Sequence, residues 1–169
     1  MLKQLFQTQA GFGMFWVRLP LAISMILHGW GKVSNLEGFI SSSDQIGIAP
    51  VFAILAAIGE FFGGLGILIG FLSRIAAFGS GCTMAVAAIM RHGIPGYGYL
   101  MNWHGALPLG AEGYEFHTLA IGMSLGIVFL GAGTFSIDAL IARRLERAGR
   151  VRERDHEAAA EPVAARVGA

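Results

Sequence analysis

PVFAILAAIGEFFGGLGILIGFL, residues 50–72, decides the fold because it is a long apolar run in which Glu60 is the only ionisable side chain. At about 1.5 Å of rise per residue, this run is long enough to cross a hydrocarbon core of roughly 30 Å, with Glu60 near the midplane. A carboxylate at that depth costs very roughly 3 kcal/mol, which favours a partnered or functional residue. The side chains on the Glu60 face are nearly all small: Ala53, Ala56, Ala57, Gly63, Gly64 and Ile67. Because small residues let another helix approach closely, this face is expected to look into a bundle.

The composition extends this interpretation to the whole chain. Of 169 residues, 54% are hydrophobic and 14% are charged, and the mean hydropathy of +0.61 lies far from soluble globular averages. Four runs predict transmembrane helices: residues 11–31, 50–72, 75–90 and 116–133. We therefore predict an all-α membrane protein, with a four-helix domain at residues 11–141, a lead-in at 1–10 and a basic, disordered tail at 142–169.

Charge is distributed unevenly along the chain. Six arginines crowd the segment after the fourth run: Arg143, Arg144, Arg147, Arg150, Arg152 and Arg154. The connections after the first and third runs are acidic instead. By the positive-inside rule, both termini are predicted to be cytoplasmic in a multi-pass protein of the bacterial inner membrane. The arginine segment is suited to anionic lipid, and no nucleic-acid partner is expected. Arg18 interrupts the first run, which favours a retained span over a cleaved signal peptide.

The first run carries more polarity than an anchor needs. Arg18, His28 and Lys32 share one broad helical face. Counting depth from the ends of the runs places Arg18 within about 6 Å of Glu60 along the membrane normal. An ion pair between these two side chains is therefore predicted. It would either fix helix register alone, or bind a polar ligand or relay protons.

A polar cavity that opens toward the outer face is the sequence-based candidate site. Its predicted lining is Arg18, His28, Lys32, Glu60, Arg91, Glu115 and His117. Glu60 and His28 are the candidates for a catalytic role, and no catalytic residue is assigned beyond them. The aromatic connection at residues 93–115 is either an interfacial belt or a lid over the cavity. Glu115, Thr118, Gly122 and Gly126 share a face of the fourth run that is expected to meet Glu60.

Metal and thiol chemistry find little support in the sequence. The histidine spacings match no compact ligand motif, so no metal site is predicted. Cys82 is the only cysteine, and its position inside the third run favours a small buried core residue over a redox role.

The chain resembles DoxX-like membrane proteins over about residues 14–141. The resemblance is carried by short pieces in a fixed order: Arg18, HGWGK at 28–32, Glu60 with Gly63 and Gly64, Gly70, Arg74, GYE at 113–115, GAG at 131–133, Ser136 and Asp138. It implies a four-helix membrane protein. Some relatives are similar to subunits of a thiosulfate:quinone oxidoreductase, and others are associated with redox-stress complexes.

Three functions are compatible with these observations. The first is a non-flavin membrane subunit or partner of a quinone-linked oxidoreductase, with quinone in the polar cavity, no covalently bound cofactor and a redox partner protein. The second is a transporter or permeation protein for a small solute, and the third is a scaffold whose polar residues only specify helix packing. Whether the chain is itself an enzyme is left open, as is its oligomeric state, a homo-oligomer included.

Overall fold

The computed structural model describes residues 11–92 and 115–160, together with Gln4. Within these residues the secondary structure is helical, which confirms the all-α prediction for the described part of the chain. The helices are α1 (Gly13–Val33), α2 (Leu36–Asp44), α3 (Pro50–Ile69), α4 (Ser73–Ala87), α5 (Glu115–Leu130) and α6 (Ile137–Ala160). Helix α4 continues into a π-helical turn, Ala88–His92.

Two of the described helices are long and apolar enough to cross a membrane, namely Pro50–Ile69 and the continuous helical stretch Ser73–Met90. Helix α5 is apolar but has only 16 residues. Helix α1 has 21 residues and carries the three basic side chains that dilute its hydropathy. The four-span count and the cytoplasmic placement of both ends therefore stay predictions.

Helix α3 follows directly from its sequence. Pro50 occupies the first turn, where its fixed φ suits a helix start. Gly70 ends the helix in the left-handed conformation, with φ of 68°. The side chains that the helix buries are Ala53, Ala57, Glu60, Gly64 and Ile67. The expected inward-facing stripe of small residues around Glu60 is confirmed.

Helices α1 and α3 cross at very close range because glycines stand at the crossing. A Cβ atom on Gly29 would lie 2.4 Å from the backbone nitrogen of Phe61. One on Gly64 would lie 2.9 Å from the backbone nitrogen of Ile26. Beside the crossing, Leu21 and Met25 of α1 are fully buried in the core. This contact fixes the register between the two helices.

Helix α5 packs with a different face from the one predicted. It buries His117, Ala120, Ser124 and Ile127, and Ser124 lies against Gly81 of α4. Thr118 and Gly122, which were expected to meet Glu60, are exposed. Two small residues, Ala120 and Ser124, let α4 approach on the observed side, and the prediction of the other face was wrong.

A helix stands where a loop was expected between the first two runs. Helix α2 begins after Asn35, whose side-chain oxygen accepts a hydrogen bond from the backbone nitrogen of Gly38 at 3.3 Å. Asn35 is thus a normal N-cap. The helix lies beside α3 and closes one side of the bundle.

The C-terminal segment is also more ordered than predicted. Helix α6 continues to Ala160, so the prediction of disorder is wrong for residues 142–160. Residues 161–169 lie outside the described residues, as does most of the aromatic connection, residues 93–114, with the lid hypothesis that rests on it.

Candidate functional site

A cavity of about 580 Å³ lies where α1 and α4 end and where α3 and α5 begin. Helix α2 contributes one wall through Phe39 and Ser43. Most of the lining is apolar, for example Ile48, Phe52, Leu55, Met84 and Val86. Sites of this volume with mainly apolar walls and few polar groups are typical of small-molecule binding.

An ion pair between Lys32 and Glu60 forms the polar part of the cavity wall. The Lys32 ammonium donates to Oε1 of Glu60, which is completely buried, while the Lys32 side chain is 22% exposed. The ammonium also lies 5.0 Å from the ring centroid of Phe39, within cation–π range. Oε2 of Glu60 is buried and has no hydrogen-bond partner among the described residues. The buried carboxylate is therefore paired at one oxygen and unpaired at the other.

The predicted ion pair between Arg18 and Glu60 is wrong, because Glu60 is paired with Lys32 and Arg18 lies at the other end of the bundle. A guanidinium nitrogen of Arg18 donates to the backbone oxygen of Phe135. The helix crossing explains the difference. It sets Gly29 level with Phe61, and Arg18 is eleven residues from Gly29 along α1, roughly 16 Å at the helical rise.

Two histidines and a phenylalanine line the cavity where α1 meets α5. The His28 ring stacks on Phe116, with centroids 5.0 Å apart and planes 6° from parallel. Phe116 in turn meets the His117 ring edge-on at 5.7 Å. Nδ1 of His28 donates to the backbone oxygen of Ser24 at 2.9 Å. In neutral His28 this bond leaves Nε2 as the acceptor.

Helix α4 supplies the wall opposite these rings. The Thr83 hydroxyl donates to the backbone oxygen of Gly79 at 3.0 Å, and both residues line the cavity. Cys82 also lines the cavity and is exposed. The interpretation of Cys82 as a buried core residue was wrong, because the preceding residue, Gly81, is the one that packs against Ser124 of α5.

Besides Arg18, the predicted site residue Glu115 is missing from the described lining of the cavity. Glu115 begins α5, and its Oε2 is buried without a hydrogen-bond partner among the described residues. Arg91 lies in the π-helical turn, and its side chain is outside the described part of the structure. Within residues 11–92 and 115–160, no three histidine, cysteine or acidic side chains cluster closely enough to hold a metal ion.

A second polar cluster lies at the opposite end of the bundle, centred on Asp138. This carboxylate is 1% exposed and accepts from the backbone nitrogens of Leu72 and Ser73 at 2.8 and 2.9 Å, and from the Ser73 hydroxyl. The Asp138 nitrogen donates to the Gly70 oxygen at 2.8 Å. Asp138 therefore caps α4 from another helix and ties the start of α6 to the α3–α4 turn. Its negative charge also attracts Arg18.

Comparison with known proteins agrees with this architecture. The DoxX family model matches residues 13–93. Over these residues the chain is similar to the DoxX family. It is similar to inner membrane protein YqjF of Escherichia coli K12, with 29% identity over 136 residues that cover 78% of this chain and 94% of YqjF. With this relative and its long apolar helices, the chain is placed in the inner membrane. The comparison with solved structures found no match.

The DoxX match contains part of the cavity but not all of it. His28, Lys32, Glu60 and Cys82 lie within residues 13–93, whereas the α5 side of the cavity lies outside the match. Sequence reasoning brought His28, Lys32, Glu60 and His117 into one site, and the structure places these four side chains on one cavity. It missed Phe39, Thr83 and Phe116. Asn35 was the available signal for α2 and hence for Phe39, since asparagine is a preferred N-cap.

Proposed function

We propose that this chain is a DoxX-family protein, that it acts as a membrane subunit or partner of a quinone-linked oxidoreductase system, and that the cavity binds the quinone headgroup. The observation that carries the proposal is the buried Glu60 carboxylate, which presents one unpartnered oxygen beside Lys32 in an otherwise largely apolar cavity. A buried ionisable pair inside a membrane protein favours a functional site over a packing device.

The donor and acceptor set fits a quinone headgroup. A quinone carbonyl accepts hydrogen bonds, and the Lys32 ammonium has three protons, of which Glu60 takes one. A quinol hydroxyl donates, and Oε2 of Glu60 accepts. The apolar side chains of α3 and α4, including Phe52, Leu55 and Val86, suit the ring substituents and the isoprenoid tail.

The residues of this chain would orient the headgroup and move its protons. When bound, a quinone supplies two-electron redox chemistry. Oε2 of Glu60, which has no partner in the described residues, would take up a proton, and Nε2 of the exposed His28 would exchange protons with the surroundings. A single cysteine cannot ligate an iron–sulfur cluster. Electrons therefore come from a redox partner protein.

Protection of Cys82 tests this function directly, because Cys82 is the only cysteine and lines the cavity. Full-length protein in nanodiscs is treated with a maleimide while a short-tailed ubiquinone analogue is titrated. We expect the analogue to slow alkylation with saturable dependence. Glu60→Gln and Lys32→Met should each raise the half-protecting concentration at least about tenfold, which equals 1.4 kcal/mol of binding.

Glu37→Gln is the matched control, because Glu37 is an exposed carboxylate on α2 outside the cavity lining. The analogue should protect Cys82 in this variant at the same concentration as in the parent protein. Unsaturable slowing that is the same in all variants would mean that the analogue acts only through the bilayer. No protection at all would remove quinone and favour the scaffold or solute-permeation alternatives.

A further inference from the structure

Helix α6 has three chemically distinct sectors along its length. At about 100° per residue, four arginines fall within an arc of about 60°. This arginine stripe consists of Arg143, Arg147, Arg150 and Arg154. Next to it, an apolar sector of about 140° holds Ile137, Leu140, Ile141, Leu145, Ala148 and Val151. Glu146, Glu153 and Glu157 occupy the far side.

The apolar sector is not used by the bundle. The side chains that α6 buries are Asp138, Ala139 and Ala142, which lie outside that sector. Leu140, Leu145 and Val151 are 47%, 40% and 59% exposed. From residue 143 to residue 157 every side chain is exposed except Glu146, which is partly buried. Most of α6 therefore stands away from the other described helices with its apolar sector uncovered.

Charges of both signs follow one another along α6, and some are spaced favourably, since Glu146 stands four residues before Arg150. The stripe places arginines four residues apart twice, at 143 and 147 and at 150 and 154, and like charges at this spacing repel. In the described part of the chain, Arg147, Arg150 and Arg154 form no ion pair. Most helical stability in proteins comes from packing of an apolar face, and the apolar sector of α6 has little such packing in the bundle. The pattern points to a surface that offers both apolar contact and negative charge.

We propose that α6 binds the anionic phospholipid surface of the membrane that holds the bundle. The apolar sector enters the boundary between headgroups and acyl chains, and the arginine stripe contacts the phosphates. Three charged residues also fall within the apolar sector, namely Arg144, Arg152 and Asp155. The long stems of the two arginines let their charges reach headgroup level, and Asp155 follows Val151, the last apolar residue of the sector. The capping contact of Asp138 with α4 fixes the start of α6 at the end of a membrane-spanning helix, within reach of the lipid.

The depth of Val151 tests this proposal in the full-length protein. Val151→Cys in a Cys82→Ser background carries an environment-sensitive fluorophore, and the protein is placed in nanodiscs of phosphatidylcholine with or without phosphatidylglycerol. We expect a blue shift and quenching by lipid-borne quenchers only with phosphatidylglycerol, both reversed at high salt. Arg150→Gln with Arg154→Gln should weaken the lipid-bound state about 25-fold, since each arginine near an anionic surface contributes about fivefold.

A charge-exchange variant separates the stripe from net charge. Exchanging Glu146 with Arg147 and Glu153 with Arg154 keeps the composition and moves two arginines to the acidic side. We expect this variant to lose the blue shift at unchanged thermal stability. The proposal is overturned if the fluorophore stays in water in both lipid mixtures, if it is equally buried in both, or if the exchanged chain behaves like the parent. Unchanged behaviour of the double glutamine variant, whose neutral side chains do not oppose helix formation, would overturn it as well.

Discussion

Lys32 at the end of α1 forms an ion pair with Glu60 in the middle of α3, and the two residues contribute unequally because only Glu60 is fully buried. Lys32→Met leaves a carboxylate in low dielectric without its counter-charge. Loss of one partner of a buried pair destabilises by about 3–5 kcal/mol. Glu60→Gln leaves a lysine that is partly exposed and can reach water. We expect a larger loss of thermal stability in detergent for Lys32→Met than for Glu60→Gln.

The double variant separates a pair from two independent residues. Lys32→Met combined with Glu60→Gln should cost less than the sum of the single changes, because the stranded carboxylate is gone. Arg18→Gln combined with Glu60→Gln is the control and should be additive, since Arg18 contacts Phe135 instead. Additivity in the lysine double variant would contradict the ion pair.

A second prediction concerns the crossing of α1 and α3. Gly29→Ala places a methyl group against the backbone of Phe61, which cannot move aside like a flexible side chain. Overpacking of this kind costs about 1–3 kcal/mol, and thermal unfolding in detergent should show it. Gly31→Ala is the control two residues along the same helix, where a Cβ meets nothing within 4 Å. Equal stability of the two variants would mean that the helices do not cross at Gly29.

A third prediction concerns the cap that α6 places on α4. Asp138→Ala leaves the backbone nitrogens of Leu72 and Ser73 without their acceptor, and a buried donor left unsatisfied costs about 1–3 kcal/mol. We expect a lower midpoint of thermal unfolding. Asp155→Ala removes an exposed carboxylate from the same helix and should leave the free energy of unfolding within about 0.5 kcal/mol of the parent. An Asp138→Ala variant with an unchanged midpoint of thermal unfolding would contradict the capping contact.

The fourth prediction is topological. With four spans, reporter fusions at Ser42 and Asn102 should report the periplasm, and a fusion at Arg150 should report the cytoplasm, because the arginines of α6 stay on the positive side. A periplasmic signal at Arg150 would invert the orientation, and a cytoplasmic signal at Ser42 would remove the first span.

The parts of this fold that could be predicted are those governed by helical periodicity. The buried stripe of α3 was readable because Ala53, Ala57, Glu60 and Gly64 repeat at helix spacing around the one charge. The ion-pair partner of Glu60 could not be predicted by counting depth from the ends of the hydrophobic runs. Register between helices depends on where backbones touch, and the contact of Gly29 with Phe61 sets it here.

Other differences have the same origin in tertiary packing. Two faces of α5 carry small residues, and only contact with Gly81 of α4 selects the one that contains Ser124. Helix α2 is short and would be marginal alone, so its packing beside α3 decides whether it forms. At the candidate site, residue types pointed to Lys32, His28 and Glu60, whereas neighbours such as Phe39 and Phe116 followed only from the folded geometry.

The apolar side chains at the edge of the cavity determine the unit in which the concentration of a bound ligand should be expressed. Phe52, Leu55 and Val86 line the cavity and are also 63%, 57% and 49% exposed at the surface of the two helices that are long and apolar enough to span a membrane. A hydrophobic molecule can therefore enter sideways from the bilayer without crossing water. Its relevant standard state is mole fraction in lipid, so an apparent dissociation constant in molar units will rise in proportion to the amount of lipid added. Measurements at different lipid-to-protein ratios should become superimposable only on a mole-fraction axis.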